Sequence, residues 1–302
     1  MRMLLGTLML VIAGCGTHAV TVEGGRAVTA KPAAQPAQWI EVAPQTYLRY
    51  QRTGNGQQPV VLLHSLGTAF ENWDEVAPAL ASKERTVLRF DQRGAGLSTK
   101  IREPVTMDVW VEDLRVLLDE LDLSEPAVLI GDTFGATIAL QFAATYPDRA
   151  AGVVALGPTA FLVQNPKQFA KFPDPLAPGA APASLGDRER EFNTVYPPVL
   201  RTDEHRSARF FGVAYSADPT SAVLTMRAVY SVGFKDVFAR VRCPVIVAAG
   251  RLFVQPVAAV RELSDAIPHS RLVELETGHY AGVQSPELVT PLVQNFLQEL
   301  GR

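Results

Sequence analysis

Short runs of consecutive apolar residues alternate along the chain with longer segments in which apolar residues recur every three or four positions. Such short runs, ending in polar or glycine-containing turns, are typical of buried parallel strands, and the longer segments have the spacing of helices that bury one face. The strand-like runs are 60–64, 86–91, 127–131, 152–157, 244–249 and 271–275, and the helical segments are 73–82, 107–123, 136–146, 257–267 and 286–300. This alternation predicts an α/β protein with a mostly parallel, doubly wound sheet that helices cover on both faces.

One long stretch interrupts this alternation. Residues 159 to about 238 are first rich in proline and then contain two helical stretches, 188–194 and 220–232. An interruption of this size between two strands predicts a cap inserted into the α/β core. We therefore divide the folded part into a core at 39–158 and 239–302 and a cap at 159–238.

The amino terminus has the pattern of a secretory signal. Arg2 precedes an apolar run at 4–13, which is shorter than the roughly 20 residues that span a bilayer and matches the central region of a signal peptide. The run ends in Ile-Ala-Gly-Cys15 and resembles the lipobox of bacterial lipoproteins. The resemblance implies that 1–14 is removed and that acyl chains on Cys15 anchor the protein in a membrane. The alternative is an ordinary signal peptide in which this cysteine is incidental.

The segment 15–38, which begins at this cysteine, has no aromatic residue and is rich in Ala, Gly, Pro and Val. This composition predicts a flexible tether between the lipid anchor and a domain that begins near Trp39. Residue 16 is Gly16 rather than aspartate. By the same resemblance we expect the bacterial cell envelope as the location, facing the periplasm from the outer membrane where the organism has one.

The overall composition excludes several classes of protein. The chain has 302 residues, of which 47% are hydrophobic, and 28 lysine and arginine residues against 31 aspartate and glutamate residues give a formal net charge of −3. These values exclude a disordered chain, a polytopic membrane protein and a nucleic-acid binder led by basic charge. The five histidines form no i, i+4 pair, no C-x-x-C occurs, and Gly94-Ala-Gly96 has no third glycine at dinucleotide spacing. We therefore expect neither a metal nor an organic cofactor.

The segment 127–137 leads from a strand into a helix through a turn with the layout of a nucleophile elbow, G-x-S-x-G. Gly131 and Gly135 let the strand and the helix approach each other, and they place Thr133 rather than Asp132 at the centre of the turn. A threonine hydroxyl can attack a carbonyl when a base lies beside it. Its branched Cβ, however, fits the positive φ of an elbow poorly, with a strain of about 1–3 kcal/mol.

Four blocks of the chain, taken together and in this order, resemble the α/β-hydrolase superfamily. They are Val-Leu-Leu-His-Ser-Leu-Gly-Thr at 61–68, Arg-Phe-Asp-Gln-Arg-Gly-Ala-Gly-Leu-Ser at 89–98, the elbow, and Gly-His-Tyr at 278–280. The resemblance covers about 39–300, and its pattern is most similar to 3-oxoadipate enol-lactonases and their carboxylesterase relatives. It implies an α/β-hydrolase fold with a helical cap inserted after the sixth strand, and a small-molecule ester or lactone as the ligand.

The same resemblance implies roles for individual residues. His279 takes the position of the general base, and the backbone N–H groups of Leu66 and Phe134 become the donors to an oxyanion. His64 fits a role in shaping the loop before these donors better than a role in catalysis. Asp91 fits the role of an acceptor for loop amides better than that of a catalytic acid.

The sequence departs from the family pattern at the acid of the triad. After 244–249 the family reads G-x-x-D, whereas Gly-Arg-Leu-Phe here puts Phe253 in the acid's position. In well-studied triads the loss of this partner lowers the rate about 10⁴-fold. The acids near the last strands that no pattern selects are Glu262, Asp265, Glu274 and Glu276.

Two functions therefore remain open. The first is a lipid-anchored hydrolase in which Thr133 attacks the substrate and His279 is the base. The second is a catalytically impaired pseudo-hydrolase that keeps the pocket as a binding or scaffolding surface.

Overall fold

The structure is a computed structural model that describes residues 20–23, 26–29, 34–160, 167, 170, 172–181, 184–252 and 255–302. The predicted signal peptide, the predicted lipidation site Cys15 and the acid-slot residue Phe253 lie outside the described residues. Within the described ranges, no helix has the length and apolar character needed to cross a bilayer.

A large sheet forms the centre of the molecule. The described strands are β1 Val20–Glu23, β2 Arg26–Thr29, β3 Gln38–Ala43, β4 Thr46–Thr53, β5 Gln58–Leu63, β6 Arg85–Phe90, β7 Ala127–Asp132, β8 Ala150–Leu156, β9 Val245–Gly250 and β10 Ser270–Leu275. β3 to β10 form one eight-stranded sheet in the order β10-β9-β8-β7-β5-β6-β4-β3. The strands from β10 to β6 in this order are parallel, whereas β4 and β3 pair antiparallel. The predicted mostly parallel sheet is confirmed.

Helices cover both faces of this sheet. The described α-helices are α1 Ala77–Leu80, α2 Asp108–Glu120, α3 Phe134–Thr145, α4 Leu185–Val195, α5 Glu204–Ser216, α6 Pro219–Tyr230, α7 Lys235–Phe238, α8 Val257–Asp265, α9 Ala281–Gln284 and α10 Pro286–Glu299. Short 3₁₀ helices lie at Phe70–Trp73, Pro147–Arg149 and Pro198–Leu200. The five helical segments predicted for the core correspond to α1, α2, α3, α8 and α10.

Two buried clusters lie on opposite faces of the sheet. Val61 and Leu63 of β5 belong to the cluster that also contains residues of α2, α3 and α8. Val60 and Leu62 belong to the cluster with residues of α1, α9 and α10. Because neighbouring residues of a strand point to opposite faces, a strand covered on both sides needs apolar residues at every position. This is why the central strands appear in the sequence as unbroken apolar runs.

The cap follows β8, the sixth strand of the large sheet, and its described part includes α4, α5, α6 and α7. An aromatic cluster joins it to the core, in which Phe192, Tyr196 and Phe210 of the cap pack with Tyr280, next to α9. Arg206 of α5 adds an ion pair to the core. α4 and α6 were predicted as helical stretches, whereas α5 was not.

The segment predicted as a tether contains regular backbone structure. β1 and β2 pair antiparallel within 15–38, and Ala34 forms a bridge with Thr53 of β4. The prediction of a flexible tether did not include these strands, although the alternation of valine with other residues in β1 has the period of two that favours strands. β3 begins at Gln38, next to the predicted start of the domain at Trp39.

Candidate active site

The turn between β7 and α3 has the geometry of a nucleophile elbow. Thr133 lies at its apex with φ 49° and ψ −102°, a conformation that strains a β-branched residue. A Cβ atom on Gly131 would lie 2.3 Å from the backbone nitrogen of Ala136, and one on Gly135 would lie 2.2 Å from the carbonyl oxygen of Leu63. Both glycines are therefore required where they stand, and together they put Thr133 at the apex.

Backbone hydrogen bonds hold this strained turn against the end of β8. The N–H of Thr133 donates to the carbonyl oxygen of Leu156 at 2.8 Å, and the carbonyl oxygen of Thr133 accepts from Thr137 and Thr159, both at 3.2 Å. The Thr137 hydroxyl donates to the Thr159 carbonyl at 2.8 Å. These bonds stabilise the turn and offset its strain.

The Thr133 hydroxyl lies against a second hydroxyl. Its Oγ1 is in direct hydrogen-bond contact with Oγ of Ser65, 68 positions earlier in the chain, and each residue is only about 1% exposed. Ser65 belongs to one of the family blocks in the sequence, but no role was predicted for it. Its one signal in the sequence is its place between His64 and the predicted oxyanion donor Leu66.

The loop after β5 holds one peptide group in a fixed orientation. The carbonyl oxygen of Ser65 lies 2.7 Å from Nδ1 of His64 and accepts from the hydroxyl of Thr68 at 2.7 Å and from its N–H at 3.3 Å. The C=O and the N–H of a trans peptide point in opposite directions. The N–H of Leu66, in the same peptide group, therefore points away from His64 and Thr68.

His64 is fully buried, and both nitrogens of its ring form hydrogen bonds with backbone groups of the surrounding loops. Its Nε2 accepts the N–H of Gln92 at 3.1 Å, so the ring proton lies on Nδ1, which donates to the carbonyl of Ser65. Burial lowers the pKa of His64 and keeps the imidazole neutral. The prediction that this histidine shapes the loop is confirmed.

Leu66 and Phe134 line the same narrow cleft. Phe134 is the first residue of α3, so its N–H has no partner within the helix, and the helix end favours negative charge. The cap supplies the opposite wall through α6 and the residues before it, which are Ala217, Asp218, Ala222 and Thr225. The two predicted oxyanion donors thus belong to residues that meet beneath the cap.

Asp91 accepts loop amides, as predicted. Its Oδ1 accepts the N–H of Phe70 at 2.9 Å, and its Oδ2 accepts the N–H of Leu97 at 2.8 Å and Nε of Arg49 at 2.6 Å. Arg49 also pairs with Glu71 at 2.7 Å. Both oxygens of Asp91 are engaged in holding the loops around the sheet edge, and the prediction of a structural acceptor is confirmed.

His279 lies in the loop between β10 and α9, beneath the aromatic cluster of the cap. Its ring meets the ring of Tyr280 edge to face, with centroids 4.6 Å apart, and Tyr280 packs on Phe210 of α5 at 4.8 Å. Burial lowers the pKa of His279 to about 4. The imidazole is therefore neutral near pH 7, which is the form that can accept a proton.

Two contacts join the elbow to the loop of His279. Asp132 Oδ2 accepts the N–H of Gly282 at 3.1 Å. Leu156, whose carbonyl accepts the N–H of Thr133, lines a small pocket together with His279. Thr133 and His279 therefore lie on neighbouring loops at the carboxyl end of the sheet, although they are far apart in the sequence.

The alternative acids considered for His279 have other surroundings. Glu274 pairs with Arg251 at 3.1 Å and with Arg261 at 3.2 Å, and Glu276 pairs with Arg251 at 2.6 Å. Glu262 and Asp265 are exposed on α8. Glu274 and Glu276 thus take part in surface ion pairs.

Neither a metal cluster nor a reactive thiol is found in the part of the chain that the structure describes. It contains no group of three or more His, Cys, Asp or Glu side chains able to hold a metal ion. Cys243 is buried, and burial raises the pKa of its thiol to about 11. This thiol therefore stays protonated and unreactive near neutral pH.

Comparison with known families agrees with this geometry. The model of the alpha/beta hydrolase fold family matches residues 58–286. The chain belongs to the α/β-hydrolase family. The matched region begins with β5 and ends at the start of α10, so it includes the oxyanion loop, the elbow and His279.

Individual relatives and solved structures agree with the family. A Synechocystis protein named provisionally as a non-heme chloroperoxidase is 26% identical over 82% of this chain and 94% of its own length. A hydrolase from Pseudomonas aeruginosa PA01 superposes with a TM-score of 0.76 at 25% identity, over 86% of this chain and 98% of its own. The enol-lactonase from Burkholderia xenovorans LB400 gives a TM-score of 0.76 at 23% identity, over 87% of this chain and 100% of its own.

These similarities establish the family and the fold of the chain. Some curated relatives are more identical to the chain, at 35% and 38%, but only over a shorter stretch. The chain covers only about a third of the length of these relatives. The α/β-hydrolase fold predicted from the sequence is confirmed, and the chain is a member of this family. The fold alone does not select the bond that is cleaved, because one fold hosts many activities.

Proposed function

We propose that the protein is a lipid-anchored hydrolase of small carboxylic esters or lactones, in which Thr133 is the nucleophile and His279 is the base. This proposal depends mainly on the strained backbone conformation of Thr133. A β-branched residue at φ 49° costs about 1–3 kcal/mol, and the surrounding hydrogen bonds maintain that conformation at the entrance to α3. Strain of this kind is typical of a side chain that is presented for chemistry.

The geometry supports a two-step acyl transfer. Thr133 Oγ1 attacks the carbonyl carbon of the substrate while neutral His279 takes the hydroxyl proton. The N–H groups of Leu66 and Phe134 hold the negative charge on the carbonyl oxygen. When the tetrahedral intermediate collapses, the bond to the alcohol oxygen breaks and His279 returns the proton to that oxygen.

The second step regenerates the enzyme. His279 takes a proton from a water molecule, whose oxygen attacks the acyl group on Thr133. The bond between the acyl carbon and Oγ1 breaks, the carboxylic acid leaves, and Thr133 recovers its proton from His279. Ser65 contacts Oγ1 of the resting nucleophile and therefore fixes the rotamer from which the attack begins.

We also propose that acyl chains on Cys15 anchor this domain in the bacterial cell envelope. The support is the signal-like sequence before Cys15, together with a domain whose large sheet begins only at Gln38. Cys15→Ser should remove labelling by a radioactive fatty acid and move the protein from the membrane fraction to the soluble fraction. Membrane association that Cys15→Ser leaves unchanged would contradict the anchor.

A second function is favoured by the enclosure of the site. Thr133 is 1% exposed, its hydroxyl is engaged by Ser65, and its methyl group crowds the approach to the oxygen. A pseudo-hydrolase would keep these features, because a pocket can bind a ligand without attacking it. In that case the protein acts as a binding or scaffolding lipoprotein.

One set of assays separates the two functions. The full-length chain carrying Cys15→Ser is incubated with p-nitrophenyl acetate and with enol-lactones. The hydrolase predicts turnover that Thr133→Ala or His279→Ala abolishes and that the surface control Glu262→Gln preserves. The pseudo-hydrolase predicts no turnover and no labelling by a fluorophosphonate, but thermal stabilisation by a bound ligand. Turnover that survives both active-site substitutions would contradict the mechanism.

A further inference from the structure

A buried carboxyl group lies between the two loops of the site. Asp132 is the last residue of β7, directly before Thr133, and it is 1% exposed. Its Oδ2 accepts the N–H of Gly282 at 3.1 Å. Gly282 belongs to α9, the short helix that begins two residues after His279.

α9 is held from a second direction as well. A Cβ atom on Gly282 would lie 2.7 Å from the ring of Trp73, which is fully buried. The backbone of α9 therefore sits between the indole of Trp73 and the carboxyl group of Asp132. A shift of α9 toward the indole is blocked by contact, and a shift away from Asp132 breaks the hydrogen bond.

We propose that Asp132 is a positioning residue for His279, whose carboxyl group holds α9 and thereby sets the place of the imidazole relative to Thr133. This inference rests on the proposed function. Asp132 and Thr133 are consecutive. The same stretch of backbone therefore carries the nucleophile and the carboxyl group that holds α9, the helix next to the base His279.

The surroundings of Asp132 are those of a carboxyl group that accepts backbone N–H groups rather than of one that forms an ion pair. Burial raises its pKa to about 8, while the N–H groups of Gly282 and Ala281 act in the opposite direction. Asp132 interacts electrostatically with Tyr280, whose own pKa is raised by burial and by the charges of Glu191 and Asp132. Within the described residues, Oδ1 of Asp132 is buried and makes no hydrogen bond.

Two substitutions separate the hydrogen bond from the volume of the side chain. Asp132→Asn keeps an acceptor oxygen for Gly282, whereas Asp132→Ala removes it. In the full-length Cys15→Ser protein with p-nitrophenyl acetate, we expect Asp132→Ala to lower kcat by about 10²-fold, the effect of a misplacement of about 1 Å. KM should remain nearly unchanged, and Asp132→Asn should restore kcat to near the original value.

A truncation elsewhere in the same core controls for loss of packing. Val154→Ala on β8 removes apolar volume from the buried cluster that contains α9, and it should lower stability without lowering kcat. Unchanged kcat in Asp132→Ala, or an equal loss in Asp132→Asn, would overturn the proposal. The same holds if Val154→Ala lowers kcat as much as Asp132→Ala.

A readout that needs no turnover keeps this proposal separate from the proposed function. Absence of turnover in the unsubstituted protein would contradict the hydrolase, and the positioning role of Asp132 can still be measured by NMR. Asp132→Ala should then shift the ring resonances of His279 and speed hydrogen exchange at the Gly282 amide, and Asp132→Asn should leave both near their original values. Identical spectra and exchange rates in all three proteins would overturn the positioning role.

Discussion

In the folded protein the Asp132 carboxyl group is buried, and burial raises its pKa from the ordinary value of 3.8 to about 8. Between these two values the unfolded chain has already released a proton that the folded protein keeps. The free energy of unfolding therefore falls as the pH rises from about 4 to about 8, and it levels off above that range. Asp132→Asn cannot ionise, so this contribution is missing from the variant.

The size of the effect follows from the pKa difference. Each pH unit within this range corresponds to about 1.36 kcal/mol, so the contribution of Asp132 lowers stability by at most about 4 kcal/mol at pH 7. The asparagine amide brings a buried donor without a partner, which costs about 1–3 kcal/mol at every pH. We therefore expect Asp132→Asn to be less stable than the parent protein near pH 4, and equally or more stable above pH 7.

Urea unfolding followed by tryptophan fluorescence at pH 5, 6, 7 and 8 measures this difference in the Cys15→Ser background. The stability of Asp132→Asn relative to the parent should rise by about 1.4 kcal/mol with each pH unit between pH 5 and pH 7. Glu262→Gln, at an exposed carboxyl group on α8, should run parallel to the parent. A difference that stays constant between pH 5 and 8 would show that Asp132 is already ionised in the folded protein, and would contradict a pKa raised by burial.

Three further substitutions test other parts of the site. Arg49→Met leaves the buried carboxylate of Asp91 without its cation and should lower the free energy of unfolding by about 3–5 kcal/mol. Urea unfolding measures this change. A loss below about 1 kcal/mol would show that solvent screens the Arg49–Asp91 pair. His64→Ala frees the peptide group that orients the N–H of Leu66 and should lower kcat on p-nitrophenyl acetate about 10²- to 10³-fold. A kcat that stays within a factor of about two would contradict that orientation. Thr225→Ala widens the cleft beneath the cap and should raise the kcat/KM of the butyrate ester relative to the acetate ester about 10-fold, whereas an unchanged ratio would show that the acyl group binds elsewhere.

Much of the fold could be predicted because its signals are local. The central parallel strands are buried on both faces, so each one must be a continuous apolar run, and the core helices carry an apolar stripe of regular spacing. β4 was not predicted, since it mixes Arg49, Gln51 and Arg52 with apolar residues near the edge of the sheet. α5 was missed for a related reason, because it combines charged residues with the aromatic residues that pack beneath the cap.

The elbow was predictable for the same local reason. Gly131 and Gly135 stand where any Cβ atom would collide with backbone, so the turn is determined by residues only four positions apart, and Thr133 follows as its apex. The family pattern also indicated Leu66, Phe134 and His279. All four residues lie at the carboxyl end of the sheet, on the loops that follow β5 and β10 and at the turn from β7 into α3.

The way these loops meet is set by contacts between distant parts of the chain. Ser65 reaches Thr133 across 68 positions and Asp132 reaches Gly282 across 150, and no spacing in the chain relates the members of either pair. The pKa values of Asp132 and His279 depend equally on burial by distant elements. Local backbone geometry is set by neighbouring residues and can be recognised in the sequence, whereas side-chain contacts and desolvation depend on what the rest of the chain places around each group.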